Sequence, residues 1–411
     1  MSSSPSSLHF VFYGGVEGAY QNDLVPNDEP GDSIDPRLLE LGYGAAVGGY
    51  KEGQLVTGFL TLTGEALAIA NSYPRGTSFT LPSTTPGLDF FLQQPRVGNF
   101  TEEDLVSGVS LILGADGSLR SISLNLSGGP DGPDVFINTN YATVSDDNDA
   151  EARVDGVWLP STVKPLVLSG TNGDNDLRGT AKYNFLSGGN GDDTLFLKSG
   201  QGWLWGGLGD DYLKGGGKDD HLYGGYGNDK VLGRGGFDEI RGGDGKDDLR
   251  GEAGNDSILG GTGNDYLKGG TGSDHLAGQS GNDTLYGEDG SDVLTAGGGN
   301  DKVDGGSGND RIFGSFGDDI LKGGSGRDLF LFSSGDGSGR DIVTDFKPGW
   351  DKISIENDLF ETFEQMLKYT VQVGDDVQIT YGFGPTPSVF TLADLRIAEL
   401  RAKDFGFSPN G

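Results

Sequence analysis

Gly188-Gly189-Asn190-Gly191-Asp192-Asp193-Thr194-Leu195-Phe196 is one unit of a pattern that runs unbroken through the middle of the chain. An apolar residue stands at every ninth position: Leu177, Leu186, Leu195, Leu204, Leu213, Leu222, Val231, Ile240, Leu249, Ile258, Leu267, Leu276, Leu285, Leu294, Val303, Ile312, Leu321 and Phe330. Such a register is the mark of a repeat architecture in which each unit packs on its neighbours. Two residues before the apolar position stands aspartate in fifteen of the eighteen units, the departures being Asn175, Asn184 and Gly202. Four residues before it stands glycine in sixteen, the departures being Lys182 and Lys218. The unit is therefore G-G-x-G-x-D-x-U-x, with U apolar.

Three residues such as Thr194-Leu195-Phe196 make a short strand whose middle side chain points to one face. Alone it buries almost nothing. Two nonapeptides wound into one coil of ~18 residues, stacked at the ~4.8 Å strand spacing, bring every U residue inside and create a continuous core. This predicts a parallel β-roll. The six glycine-rich residues between strands then reverse the chain, with glycine supplying positive φ. Asn228, Asn255, Asn264 and Asn309 in the fifth position also tolerate left-handed backbone.

Stacking places each aspartate over the one eighteen residues later. One edge then carries Asp193, Asp211, Asp229, Asp247, Asp265, Asp283, Asp301 and Asp319, and the other Asp220, Asp238, Asp256, Asp274, Asp292, Asp310 and Asp328. Carboxylates ~5 Å apart repel by roughly 3 kcal/mol at an effective dielectric of 20. A hard divalent ion between turns reverses that sign. Carboxylates from two turns with turn carbonyls offer about six oxygens, a set that suits Ca²⁺ better than Mg²⁺. Gly202, where an aspartate would partner Asp220, removes one site and leaves the first coils the weakest. If the aspartates only solubilised the turns, no fixed ninth-residue register would be needed. His221 and His275 are expected at the surface, and Trp203 and Trp205, which flank the inward Leu204, are expected to face outward.

The nonapeptide resembles that of the RTX (repeats-in-toxin) family, whose hemolysin-type repeats bind calcium. The resemblance implies roughly ten Ca²⁺ ions on the fifteen aspartates, export through type I secretion machinery, and an extracellular location for a protein of a Gram-negative bacterium. The run Arg340-Asp341-Ile342-Val343-Thr344-Asp345-Phe346-Lys347-Pro348-Gly349-Trp350-Asp351-Lys352-Ile353-Ser354-Ile355 resembles the segment after the roll in RTX exoproteins, including the C-terminal domain of serralysin-type proteases. It reads as a cap over an exposed strand edge. Val371 to Thr380 alternates as strands do, Ala393 to Lys403 reads as a short amphipathic helix, and Ala402-Lys403-Asp404-Phe405-Gly406-Phe407 resembles a type I export address.

Composition sets the limits of the repeat module. Of 76 glycines in 411 residues, 46 lie between Gly170 and Phe330, and no proline occurs between Pro165 and Pro348. The expected division is residues 1–165, 170–330 and 331–411, all of them β. A net charge of −33 makes nucleic acid or an anionic membrane surface an unsuitable partner. With no cysteine, thiolate metal sites and a cysteine nucleophile are excluded. No apolar stretch is long enough to span a bilayer, and Met1 to Gly14 lacks the basic start and apolar centre of a cleaved signal.

Within residues 1–165, Leu8 to Tyr13, Gln54 to Thr63, Ser78 to Leu81, Val109 to Leu113, Ser118 to Leu126, Asp134 to Val144 and Val154 to Leu159 read as strands, with Asp116-Gly117 as a hairpin turn. Their spacing favours an antiparallel β-sandwich. Catalytic signatures are sparse: there is no H-E-x-x-H and no G-x-S-x-G. His9 lies in an expected strand, where a structural role is the commoner one. Glu102-Glu103-Asp104 and Asp146-Asp147 fall in polar runs where solvated charge is the usual state, although paired carboxylates also serve glycoside chemistry. The leading expectation is a non-enzymatic calcium-binding protein whose N-terminal domain binds a cell-surface or polysaccharide ligand. The rival is a polysaccharide-active enzyme with residues 1–165 as its catalytic domain.

Overall fold

The structure is a computed structural model that describes residues 164–333, 339–356, 360–381 and 388–408, together with the backbone of ten strands between residues 7 and 160. The chain divides into two compact units, Met1–Gly170 with Tyr183–Gly189 and Thr171–Lys182 with Asn190–Gly411.

In the first unit the ten strands hydrogen-bond in one antiparallel sheet. Ser7–Gln21 lies inside it, between Leu55–Thr63 and Ala150–Pro160. Leu105–Leu113 and Leu119–Leu126 pair on either side of the expected Asp116-Gly117 turn, which itself lies outside the described residues. The expected strand Asp134 to Val144 is two, Asp134–Asn138 and Tyr141–Ser145, folded back on each other. Leu88–Gln93 and Asn99–Thr101 were not foreseen. The same unit contains a parallel pair, Leu166–Ser169 with Tyr183–Asn190, in which Leu168 stands opposite Leu186.

The second unit is the parallel β-roll. One sheet runs from Asp176–Gly179 through Thr194–Leu197, Tyr212–Lys214 and their successors to Arg340–Val343. The other runs from Gln201–Leu208 through His221–Tyr226 and its successors to Lys352–Glu356 and Phe405–Ser408. Register is eighteen residues throughout the repeats, as in Leu195 opposite Leu213 and Leu204 opposite Leu222. From Leu186 to Phe330 the U side chains are 0–3% exposed. Leu177, at the start, is half-buried.

From His221–Tyr226 to Ile320–Ser325 the strands are longer than the expected three residues. Ser257–Thr262 and its equivalents span six, so they run from the seventh position of one unit through the third of the next. The physical reason lies in the first glycine, which points inward beside the U residue and stays buried. Only Gly-x-Asp remains to turn the corner. These corners are tight: Gly254 has φ +146° and a methyl there would overlap the carbonyl oxygen of Gly236. The second position adopts φ of 72–83° even where it is Arg234, Glu252, Gln279, Glu288 or Ser315.

Beyond Phe330 the core becomes aromatic. Phe332 stacks on Phe390 at 4.2 Å and meets Tyr381 edge-on at 5.7 Å, while Phe330 and Phe405 both lie 6.4 Å from Phe346. The hairpin Thr370–Val373 with Asp376–Thr380 and the strand Val389–Leu392 complete one sheet. A one-turn helix, Phe363–Met366, is closed by a capping box between Thr362 and Gln365. The helix expected over Ala393 to Lys403 is not formed. Two 3₁₀ turns, Ile397–Glu399 and Ala402–Asp404, stand there, because the buried residues Leu395 and Leu400 are five apart and share no helical face.

Two substitutions separate steric need from conformational preference. Gly254→Ala should lower stability in calcium by more than about 1 kcal/mol, because the coils would have to part to admit a methyl. Gln279→Gly should raise it by about 1 kcal/mol, since left-handed backbone costs other residues roughly that much. Thermal unfolding in calcium reads both; equal tolerance would refute the packing described.

Candidate calcium-binding edges

The corner at the end of each Gly-x-Asp turn buries its aspartate. All fifteen, Asp193, Asp211, Asp220, Asp229, Asp238, Asp247, Asp256, Asp265, Asp274, Asp283, Asp292, Asp301, Asp310, Asp319 and Asp328, are at most 2% exposed. The structure gathers them into the two columns expected, joined by one repeated bond. The amide of Asp193 donates to Oδ1 of Asp211 at 2.7 Å, that of Asp211 to Asp229 at 2.8 Å, and so on to Asp301 and Asp319 at 2.9 Å. In the second column the amide of Gly202 donates to Asp220 at 2.7 Å, and the series continues to Asp310 and Asp328 at 3.1 Å. Gly202 thus interrupts the carboxylates but keeps the backbone bond.

One oxygen of each carboxylate is therefore committed to the preceding turn. The other, Oδ2, is buried without a hydrogen-bond partner in fourteen of the fifteen. Asp220 is the departure. Its Oδ2 accepts from the amide of Gly216 at 2.7 Å, in the unit where Lys218 replaces the usual glycine. Charge buried in this way is costly. Burial first, and neighbouring carboxylates second, push Asp229, Asp238 and Asp319 up to about 8. Asp211, Asp247, Asp265 and Asp310 are pushed up to about 7 by the same burial.

At most of these corners the free Oδ2 has a carbonyl oxygen close by. A methyl built on Gly260 would lie 2.5 Å from Oδ2 of Asp265 and 2.6 Å from the carbonyl oxygen of Gly278 in the next turn, so the two oxygens converge on one place. Gly305 shows the same pair, Oδ2 of Asp310 at 2.5 Å and the Gly323 carbonyl at 2.7 Å. Among the described residues no three acidic or histidine side chains gather into a metal cluster. A cation here would be held by one carboxylate per turn together with main-chain carbonyls. An all-oxygen set of low charge density suits Ca²⁺, which would supply the positive charge that the partnerless oxygens lack.

Two members of the columns were not foreseen. Asp341 accepts from the amide of Asp319 at 3.1 Å, and Asp351 from that of Asp328 at 3.2 Å. Their spacings are 22 and 23 residues, so a search at eighteen passes over them. The surviving signal is an aspartate two before an apolar residue, in Asp341-Ile342-Val343 and Asp351-Lys352-Ile353.

The aromatic residues of the early coils differ from expectation. Trp203 and Trp205 are 2% and 1% exposed; Trp203 stacks on His221 at 5.0 Å and Trp205 on Tyr223 at 6.0 Å. His221 is half-buried, 3.2 Å from Glu239, whereas His275 is exposed as expected. Flanking an inward leucine puts a side chain on the outer face of its own sheet, and there each of these rings stacks on one from the next coil. His9 falls in the strand Ser7–Gln21, opposite Thr61. Glu102, Glu103, Asp104, Asp146 and Asp147 lie outside the described residues.

Raised carboxyl values make the calcium-free roll sensitive to pH. The folded form keeps protons that an unfolded aspartate, near 3.8, releases, so its stability falls as pH rises from about 4 toward 8. In EDTA, circular dichroism should show more β structure at pH 5 than at pH 8. The calcium concentration needed for folding should rise on acidification, because protons and Ca²⁺ compete for the same oxygens. A β content in EDTA that does not change over this range would refute the titration.

Residues 169–204, 205–240, 232–267, 241–276, 268–303 and 304–338 match the family model of the RTX calcium-binding nonapeptide repeat. Among solved structures, the extracellular lipase LipA from Serratia marcescens is 21% identical over 51% of this chain and 40% of its own, with a TM-score of 0.20. The AlgE6R3 subunit of the mannuronan C5-epimerase from Azotobacter vinelandii is 25% identical over 35% of this chain and 77% of its own, with a TM-score of 0.23. The chain thus spans less than half the length of the lipase. No curated protein matches it. The matched residues cover the coils whose corners carry the buried aspartate columns, and this part of the chain consists of RTX calcium-binding nonapeptide repeats.

Proposed function

We propose that the chain is a secreted calcium-binding protein of a Gram-negative bacterium, whose roll folds on meeting calcium outside the cell. One observation carries the reading: fourteen buried carboxylate oxygens stacked in two columns with no hydrogen-bond partner. About ten ions on these aspartates would each contribute about 1.4 kcal/mol at ten times the dissociation constant. Inside a cell, calcium is too scarce for sites of the extracellular class, which bind at roughly 10⁻⁴ to 10⁻³ M. The repeat module, with 15 basic against 28 acidic residues from Gly170 to Phe330, would then stay expanded until exported. In this reading residues 170–330 are the calcium module, residues 331–411 a serralysin-like cap that carries a type I export address, and residues 1–165 an antiparallel β-sandwich that binds a cell-surface or polysaccharide ligand.

Calcium withdrawal tests the core of this. In EDTA at neutral pH the roll should lose most of its β signal, and calcium should restore it cooperatively; unchanged β content would overturn the reading. Asp265→Ala should raise the calcium midpoint more than Asp220→Ala, because Asp265 offers a free oxygen and Asp220 has both engaged by amides. Equal midpoints would mean that the columns act as bulk charge.

Export is tested separately. Attaching residues 351–411 to an unrelated passenger should send it into the medium of a host with a matching type I exporter, and deleting them should hold the full chain in the cytoplasm. A passenger that stays inside would remove the address from this segment.

A further inference from the structure

The second column must end somewhere, and its last corner differs from those before it. From Lys230–Gly235 to Ile320–Ser325 the strands of this sheet pair with their successors through the seventh to third positions, as Val303 does with Leu321, Gly306 with Gly324 and Ser307 with Ser325. The next pairing stops early, at Ile320 with Ile342 and Leu321 with Val343. Gly323-Gly324-Ser325 thus reaches the end of its ladder, where the repeat gives way to Asp345-Phe346-Lys347-Pro348-Gly349-Trp350-Asp351.

Side chains take over what the missing strand would have done. The two oxygens of Asp345 accept from the amides of Gly323 and Gly324 at 2.9 and 2.8 Å. The ammonium of Lys347 donates to the carbonyl of Gly324. Asp351, which closes the column, has neither oxygen free: Oδ1 accepts from the amide of Asp328 and Oδ2 from that of Lys347 at 2.8 Å. The partnerless Oδ2 of Asp328 is thus left at this corner without a free oxygen from the following aspartate.

We propose that the Lys347 ammonium serves as the resident cation at the end of this column, so that the Asp328 corner closes without calcium while the corners before it take the ion. The proposal rests on the calcium reading above and deepens it. An ammonium meets the electrostatic need that Ca²⁺ would meet, here on a carbonyl of the corner, but it is tethered and does not depend on the medium. Its charge acts on both Asp328 and Asp351, opposing the rise that burial imposes on them. The end of the roll is thereby held in place before any ion arrives.

The full chain and its Lys347→Gln, Lys347→Arg and Lys322→Gln variants would be compared by native mass spectrometry for bound calcium and by circular dichroism for the calcium midpoint. Lys322 is an exposed lysine paired with Asp304 at 2.7 Å and controls for loss of surface charge. Lys347→Gln should bind one ion more than wild type or need about twofold or more calcium to fold, the size expected for one partly exposed charge. Lys347→Arg and Lys322→Gln should match wild type. If wild type binds calcium and Lys347→Gln equals it in both ion count and midpoint, the inference is overturned while the calcium reading stands. A wild-type chain that binds no calcium overturns the reading itself.

Discussion

The bond from each aspartate amide to the carboxylate eighteen residues later is the interaction on which the roll depends. It fixes the turns one above another, and it turns Oδ1 toward the preceding coil. The cost follows directly, since Oδ2 is carried into the same dry corner with no donor to meet it. A neutral side chain in this place would avoid the charge and lose the strength of a charge-assisted bond to an amide. The corner is therefore complete only with a positive charge beside it, whether a proton, a metal ion or an ammonium.

Glycine is what lets the oxygens come so close. The first glycine of most units lies close to its own aspartate, and at Gly260 or Gly305 a methyl would crowd both that carboxylate and the carbonyl of the next turn, although Ala296 holds the position, fully buried, in one unit. Sterics and electrostatics are thus one constraint. At Gly260 and Gly305 a methyl would push apart the oxygens that converge on the cation. At the second position a Cβ would likewise meet the carbonyl of the previous turn, as at Gly261 and Gly270, and Glu252 and Gln279 are accepted there with φ of 74° and 76°, below the 123° and 120° of those glycines.

Much of this was legible because the period is rigid. The inward leucines, the two columns and the eighteen-residue coil follow from counting, and the structure returns the same register at Leu195 and Leu213. Strand length was misread, because glycine has no side chain to reveal that the first position also faces inward. Asp341 and Asp351 were missed for a related reason: a counted pattern fails once loops lengthen, although the local Asp-x-apolar triplet persists. Alternation alone places Trp203 and Trp205 outward and carries no information on how fully an outward ring is covered. In the first unit, alternation located most strands, and antiparallel pairing followed, but without a repeat nothing in the sequence orders the strands within the sheet.

The two halves of the second unit are stabilised in different ways. A coil of the roll spends eighteen residues to bury two leucines and two glycines, so apolar burial alone cannot offset the ordering of its backbone. Its folding must lean on the hydrogen-bond ladders and on whatever neutralises the corners. The cap has no such shortage. Phe330, Phe332, Phe346, Phe390 and Tyr381 are all at most 6% exposed and pack ring against ring, giving a core of ordinary density on a short stretch of chain. Its strands continue both sheets of the roll, through Arg340–Val343 to Val389–Leu392 and through Lys352–Glu356 to Phe405–Ser408. A folded cap therefore offers the last coil two strand templates already in register, and each coil that joins presents the same templates to the one before it. Loss of neutralising charge at the corners would release the coils and leave the aromatic core its own reason to stay folded.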